Sequence, residues 1–111
     1  LTLPNKKLGP LHYIAPEMLQ NADSADACKA DVYSLAKTLW VLLTGETYPP
    51  PGEQRRDVPF MRISTWVIMN KSEIIDELIE HSTRHEPEKR PTMHELRDIL
   101  ANVLSQEEFF R

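Results

Sequence analysis

The sequence contains little cysteine and glycine and has no long hydrophobic segment. The single cysteine, Cys28, cannot form a disulfide within the chain, so nothing indicates an oxidising compartment. Only three glycines occur, at positions 9, 45 and 52, which excludes a glycine-rich loop of the kind that surrounds nucleotide phosphates. The longest apolar run, residues 39–43, is far shorter than the ~20 residues that a membrane-spanning helix requires. We therefore expect a cytoplasmic protein with no membrane segment.

A strong excess of charge is also lacking. The chain has 111 residues, enough for one modest domain, and a formal net charge of -4 at pH 7. This balance gives no electrostatic basis for binding nucleic acid or an anionic membrane. The chain begins without an initiator methionine, and residues 1–5 carry no signal for the start of a helix or strand. We expect it to be a piece of a longer protein.

Helical periodicity is the main pattern in the sequence, and no stretch alternates as a strand would. The strongest predicted helix spans residues 30–43, with Asp31 in its first turn and Gly45 just beyond its end. Its apolar positions cover a broad face that requires neighbours on more than one side: Val32, Leu35, Ala36, Leu39, Trp40, Leu42 and Leu43. This helix is expected to be the buried centre of the domain.

Shorter helices are predicted around that central one. Pro16 suits the first turn of a short helix that runs to about Gln20. Ser72 is predicted to cap a helix that ends before Pro87. Residues 92–95, Thr-Met-His-Glu, have the spacing of a capping box at the start of the last helix. The fold class predicted from these patterns is mainly α, with several short helices around one buried central helix.

Four strings, in order, resemble the C-terminal half of the large lobe of eukaryotic-like protein kinases. Residues 9–17, Gly-Pro-Leu-His-Tyr-Ile-Ala-Pro-Glu, resemble the end of the family's activation segment. Residues 31–36, Asp-Val-Tyr-Ser-Leu-Ala, resemble the start of its helix F, and residues 42–45, Leu-Leu-Thr-Gly, resemble that helix's end. Residues 86–92, Glu-Pro-Glu-Lys-Arg-Pro-Thr, resemble the turn between the last two helices of the lobe. The details are most similar to bacterial serine/threonine kinases.

The resemblance implies a division of the chain and roles for particular residues. Residues 1–111 would be a partial kinase domain, with a loop-rich, substrate-facing segment at 1–29 and a helical core at 30–104. Glu17 and Arg90 would form a structural ion pair, and Asp31 would accept backbone N–H groups of a catalytic loop that this chain lacks. The implied contacts with a protein substrate are Gly9, Pro10, Leu11, His12 and Tyr13.

The chain lacks the catalytic parts of the family. It contains no His-Arg-Asp or Asp-Phe-Gly string, and with three glycines it cannot form the phosphate-binding loop. We therefore expect no catalytic residue and no cofactor in this chain, and we assign ATP and Mg²⁺ to the parent protein. Pro10 also stands where the family usually has a threonine, and proline has no hydroxyl to offer.

Two functional hypotheses remain from the sequence. The first is a fragment of a serine/threonine protein kinase that is inactive alone, and the alternative is a non-catalytic, pseudokinase-like helical module that binds partners. The expected partners are the missing N-terminal part of the kinase domain, a protein substrate and, because the central helix is so apolar, other copies of the fragment. His81 and His85 have a helical i, i+4 spacing that can hold zinc, but no third ligand is fixed, so no metal site is predicted.

Overall fold

The computed structural model describes residues 9–106, and these form a helical domain in which no strand occurs. The four α-helices are α1 (Pro16–Gln20), α2 (Ala27–Thr44), α3 (Ser72–Ser82) and α4 (Met93–Gln106). Short 3₁₀ turns lie between them, at Gly9–Tyr13, Ala22–Ser24, Pro59–Met61, Ile63–Thr65 and Pro87–Lys89. The fold predicted from the sequence, mainly α with short helices around one central helix, is confirmed.

Helix α2 is the central element, as its broad apolar face predicted. Its N-terminus is fixed by Asp26, whose side chain accepts hydrogen bonds from the backbone N–H groups of Cys28 and Lys29. Gly45 ends the helix with φ 77°, a left-handed conformation in which a glycine carries no Cβ penalty. Trp40 is fully buried in the core that α2 shares with α3 and α4.

The start of α2 differs from the prediction. The helix begins at Ala27 and not at Ala30, because the Asp26 cap adds a turn that the apolar pattern alone does not reveal. Asp31 therefore lies in the second turn and is exposed, beyond the first-turn N–H groups that a carboxylate stabilises. The predicted division between residues 29 and 30 consequently falls inside α2.

Helices α3 and α4 cover one side of α2. Ile75, Leu78 and Ile79 of α3 are buried, whereas Ile74, also placed on the predicted apolar face, is 43% exposed. Ser72 is the first residue of α3, and no side chain caps this helix, so the predicted serine cap is wrong. The capping box of α4 is present, with Glu95 N–H donating to Thr92 Oγ1 (3.1 Å) and Thr92 N–H donating to Glu95 Oε1 (2.9 Å).

An aromatic cluster closes the core beneath the 3₁₀ turns. The rings of Trp40, Phe60 and Trp66 lie 5.6 to 6.0 Å apart, and the Trp40 indole N–H donates to the Met61 carbonyl at 2.9 Å. Because this carbonyl belongs to the turn at Pro59–Met61, the indole bond ties that turn to α2. No helix within residues 9–106 is long and apolar enough to cross a membrane.

Candidate substrate groove and its ion pair

The segment from Gly9 to Tyr13, which the kinase resemblance implied to be substrate-facing, forms one short 3₁₀ turn rather than irregular loop. Gly9 is buried, Pro10 and Leu11 are exposed, and His12 and Tyr13 are half-buried. Residues 1–8, also expected to be loop, lie outside the described residues. We call Gly9–Tyr13 the substrate-facing turn.

Two side chains fix the substrate-facing turn to the rest of the domain. Ser34, on α2, donates a hydrogen bond from its hydroxyl to the Tyr13 carbonyl at 2.6 Å. His12 Nδ1 lies 2.9 Å from the carbonyl oxygen of Pro49, and since a carbonyl only accepts, this nitrogen must carry the proton. The turn is therefore held from one side by α2 and from the other by the proline-rich residues 49–52, which we call the proline turn.

Gly9 is required by close packing. A Cβ atom at this position would lie only 2.5 Å from Cδ2 of the Tyr48 ring. Real Cβ atoms do not approach carbon this closely, so any larger residue must displace the ring or the backbone. The glycine thus allows the start of the substrate-facing turn to lie directly on the residue that precedes the proline turn.

A groove of about 250 Å³ lies between the proline turn and the segment that contains the substrate-facing turn and α1. Its lining is mainly apolar. The walls come from two segments, with Leu11, Ile14 and Leu19 on the first and Pro51, Gly52 and Glu53 on the second, and Tyr33, Thr83 and His85 also line the groove. Leu11, Ile14 and Leu19 remain 42%, 36% and 58% exposed, respectively. A groove of this size and lining can accommodate an apolar side chain of a bound polypeptide.

Below the groove, Glu17 and Arg90 form a two-pronged ion pair. Arg90 Nη1 lies 2.6 Å from Glu17 Oε2, and Nη2 lies 2.9 Å from Oε1. The Arg90 side chain is fully buried and that of Glu17 is 15% exposed. The sequence resemblance had paired these two residues, which lie 73 positions apart, and the structure brings them together.

Every N–H group of the Arg90 guanidinium has an acceptor. Besides the two bonds to Glu17, its nitrogens donate to the carbonyls of Lys29 (3.0 Å), Arg84 (2.7 Å) and His85 (3.2 Å). Five donors on one planar group thus connect α1, the first turn of α2 and the segment after α3. The Tyr33 ring covers the guanidinium, with its centroid 5.0 Å away.

The charge of Arg90 also changes the acidity of its partner. Burial alone would raise the pKa of Glu17, but the hydrogen bonds and the positive charge of Arg90 outweigh burial and hold that pKa below its ordinary value. Glu17 is therefore ionised at neutral pH, and the pair remains intact well into the acidic range.

Lys37 is a buried basic side chain that the sequence analysis did not identify. It lies on α2, is fully buried, and donates from Nζ to the carbonyls of Pro50 (2.6 Å) and Gly52. Within residues 9–106 no carboxylate forms an ion pair with it, and burial lowers the pKa of Lys37 to about 7. The sequence held one signal for this buried lysine. Lys37 lies among Leu35, Ala36 and Leu39, where a charged residue interrupts an apolar helix face.

The kinase resemblance gave Asp31 a partner that this chain does not contain, so the role of Asp31 stays a prediction. The exposed side chain of Asp31 has no hydrogen bond or ion pair with any residue that the structure describes. Helix α3 ends at Ser82, so His81 and His85 do not share a helical face as the spacing suggested. Among residues 9–106 no group of three His, Cys, Asp or Glu side chains is placed to hold a metal ion.

Comparison with known proteins assigns this arrangement to a family. Residues 2–100 match the family model described as protein tyrosine and serine/threonine kinase. The chain is 33% identical over 105 residues to a predicted serine/threonine-protein kinase/receptor of Acanthamoeba polyphaga mimivirus, covering 87% of this chain and 6% of that protein. It is 29% identical over 89 residues to Wee1-like protein kinase 1-B of Xenopus laevis, covering 80% of this chain and 15% of that protein. The chain thus spans a small part of the length of these relatives.

Proposed function

Because this chain belongs to the protein tyrosine and serine/threonine kinase family, we propose that its parent transfers the γ-phosphoryl group of ATP to serine or threonine hydroxyls of proteins. In this proposal the chain supplies the substrate-facing turn and the helical base that holds it. The observation that carries the proposal is the Glu17–Arg90 pair, because it joins the segment that forms the groove to the helices beneath it. Both the serine/threonine preference and the bacterial-type subclass remain predictions, since the relatives named above come from a virus and an amphibian.

The groove defines what this piece would contribute to the parent. Its apolar lining from Leu11, Ile14 and Leu19 would receive an apolar side chain of the substrate close to the phosphorylated residue. Pro10 and His12 would lie beside the substrate backbone, and Gly9 and Tyr13 would anchor the two ends of the turn. The turn would thus select and position the substrate, while the chemistry is carried out elsewhere.

The donor set of this chain does not fit ATP and Mg²⁺. It has neither a glycine-rich loop nor the His-Arg-Asp and Asp-Phe-Gly strings, and the described residues offer no metal-ligating cluster. We assign the nucleotide and its metal to the N-terminal part of the parent kinase domain, which this chain would contact through uncovered apolar side chains. Leu35 of α2 and Leu104 of α4, 39% and 42% exposed, border one such apolar surface.

A kinase assay tests the proposal. The complete protein, incubated with ATP, Mg²⁺ and a library of peptides that vary around a serine, threonine or tyrosine, should phosphorylate serine or threonine, with a preference for apolar neighbours. The 111-residue chain alone should transfer no phosphate and, with its apolar surface uncovered, should self-associate in sedimentation experiments. Phosphorylation by the chain alone, or tyrosine as the acceptor, would contradict this proposal.

Pro10 supports a second candidate function. It is exposed at the start of the substrate-facing turn, where the family's usual threonine would present a hydroxyl to the catalytic residues. A parent that is a non-catalytic scaffold would tolerate this change, and would bind a peptide in the groove without phosphorylating it. Peptide binding by the complete protein in the absence of any phosphorylation would favour this candidate.

A further inference from the structure

The proline turn cannot satisfy its own backbone. Pro49, Pro50 and Pro51 have no N–H groups, so this segment cannot form the paired hydrogen bonds of a strand or helix. In the part of the chain that the structure describes, no backbone N–H donates to the carbonyls of residues 49–52. Pro49 and Pro50 are nevertheless buried, and buried carbonyls require donors. The donors must therefore come from side chains.

Two side chains provide hydrogen-bond donors for the proline turn. His12 donates to Pro49, and Lys37 donates to both Pro50 and Gly52. The Lys37 side chain reaches these carbonyls from the fully buried face of α2, with its Nζ 5.2 Å from the centroid of the Tyr33 ring. Carbonyl dipoles and an aromatic face thus take the place of a carboxylate partner.

The position of Lys37 couples the two walls of the groove. One wall is formed by residues 51–53. Lys37 bonds to the carbonyl of Pro50, directly before this wall, and to that of Gly52 within it. The opposite wall includes Leu11, whose neighbour His12 bonds to the same proline turn. A shift of the proline turn would therefore move one wall and release the other.

We propose that Lys37 is a positioning residue for substrate binding, because it fixes the proline turn that forms one wall of the groove and holds the substrate-facing turn. This inference rests on the proposed substrate role of the groove. It concerns a residue that would never touch the substrate, since Lys37 is fully buried. Replacing the Lys37 side chain should weaken the binding of the polypeptide substrate and leave the binding of the nucleotide unchanged.

The test compares Lys37→Met with Lys89→Met in the complete protein. Methionine preserves much of the length and volume of the lysine side chain but has no N–H donor. Lys89 is a matched control, because it is an exposed lysine whose one ion pair within residues 9–106 is a surface contact with Glu86. For Lys37→Met we expect the KM for a peptide substrate to rise about tenfold, with kcat and the KM for ATP changed by less than about twofold. Lys89→Met should leave all three constants unchanged.

A second measurement does not depend on activity. Backbone hydrogen exchange at Gln54, whose buried N–H donates to Thr83 Oγ1 just after the proline turn, should become about tenfold faster in Lys37→Met, with the helix α4 amides unaffected. Unchanged exchange at this amide overturns the inference, whether or not the protein is a kinase. Faster exchange with an unchanged peptide KM overturns it too, because the proline turn would then move without consequence for the substrate.

Failure of the proposed function is recognised separately. If the unsubstituted complete protein phosphorylates no peptide, the kinase proposal fails, and the affinity for a groove-binding peptide replaces KM as the readout. A loss of about tenfold in that affinity for Lys37→Met alone would still support the positioning role. An equal affinity in all three proteins would overturn it.

Discussion

Two buried basic side chains support the groove, and they do so by different means. Arg90 is paired with a carboxylate and uses all five of its donors, whereas Lys37 faces carbonyl groups and an aromatic ring. Burying a charge costs several kcal/mol unless partners compensate for it, and a carboxylate compensates far better than neutral dipoles. The Arg90 site therefore tolerates a permanent charge, while the Lys37 site favours loss of the proton.

The contrast also explains the two pKa shifts. At Glu17 the neighbouring guanidinium outweighs burial and lowers the pKa of the acid, so both members of the pair stay charged. At Lys37 burial has no opposing charge and lowers the pKa of the amine to about 7. A neutral amine still has two N–H groups, enough for the carbonyls of Pro50 and Gly52. The lysine can thus keep its structural bonds when it loses its charge.

The largest expected effect is the loss of Arg90. Arg90→Ala leaves Glu17 partly buried without its partner and removes the donors for three backbone carbonyls, so the free energy of unfolding should fall by ~3–5 kcal/mol. Urea denaturation of the chain, at a concentration where it is monomeric, measures this change. The matched control is Arg97→Ala, which should change stability by less than ~0.5 kcal/mol. Arg97 is 64% exposed and, among the described residues, is paired with the adjacent Asp98 alone. Equal effects for both would mean that the ion pair contributes no more than a surface contact.

The next effect is a dependence of stability on pH that only Lys37 should cause. Between pH 7 and about 9.5 the unfolded chain keeps the Lys37 proton and the folded chain loses it, so the free energy of unfolding should rise by up to ~1.4 kcal/mol per pH unit. Above this range the pKa of Tyr33, which burial raises, opposes the trend, because the unfolded tyrosine ionises first.

Lys37→Met isolates this contribution. The unfolding free energy of the unsubstituted chain minus that of Lys37→Met should be lower at pH 6.5 than at pH 9, because only the unsubstituted chain gains stability as the pH rises. At the lower pH the lysine bears the cost of its buried charge, which methionine avoids. Lys89→Met, the exposed control, should follow the unsubstituted chain at both pH values. Parallel pH curves for the unsubstituted chain and Lys37→Met would show that the buried amine does not change its charge in this range.

A smaller effect should follow from replacing Gly9. Gly9→Ala forces the Tyr48 ring to move, but Tyr48 is 36% exposed and its ring can rotate toward solvent, so we expect the free energy of unfolding to fall by ~1 kcal/mol or less. The consequence for the groove should be larger, with weaker peptide binding and an unchanged interaction with ATP. Gly45→Ala serves as a control outside the groove, because a Cβ there meets none of the described residues within 4 Å but the φ of 77° introduces backbone strain without crowding. A Gly9→Ala variant that binds peptide normally would show that the two turns adjust independently.

The sequence predicts two kinds of feature in this structure: those set by neighbouring residues, and the one ion pair that the kinase resemblance implied. The capping box at Thr92 and Glu95 and the glycine stop at Gly45 follow from residue type and spacing alone. The Glu17–Arg90 contact spans 73 positions and could be predicted only from the resemblance to kinases. The start of α2 was misplaced, because the Asp26 cap lies among small residues that precede the periodic pattern of large apolar side chains.

Other features could not be predicted for a physical reason. Lys37 finds its partners in backbone carbonyls, and a carbonyl is present at every residue, so the sequence holds no pattern that identifies them. The bond from His12 to Pro49 has the same character. Prolines mark where a turn lacks donors, but they do not show which side chain supplies them. Sequence patterns thus identified the pair held by opposite charges and missed the contacts held by carbonyl dipoles.

The most direct test of the account is a double-mutant cycle on Glu17 and Arg90. Unfolding free energies are measured for the unsubstituted chain, Glu17→Ala, Arg90→Ala and the double variant. If the buried pair holds the groove segment to the helical base, the double variant should be little less stable than either single variant, which corresponds to a coupling energy of ~2–3 kcal/mol. Additive single effects, with a coupling energy near zero, would contradict the claim that this ion pair anchors the substrate-facing side of the domain.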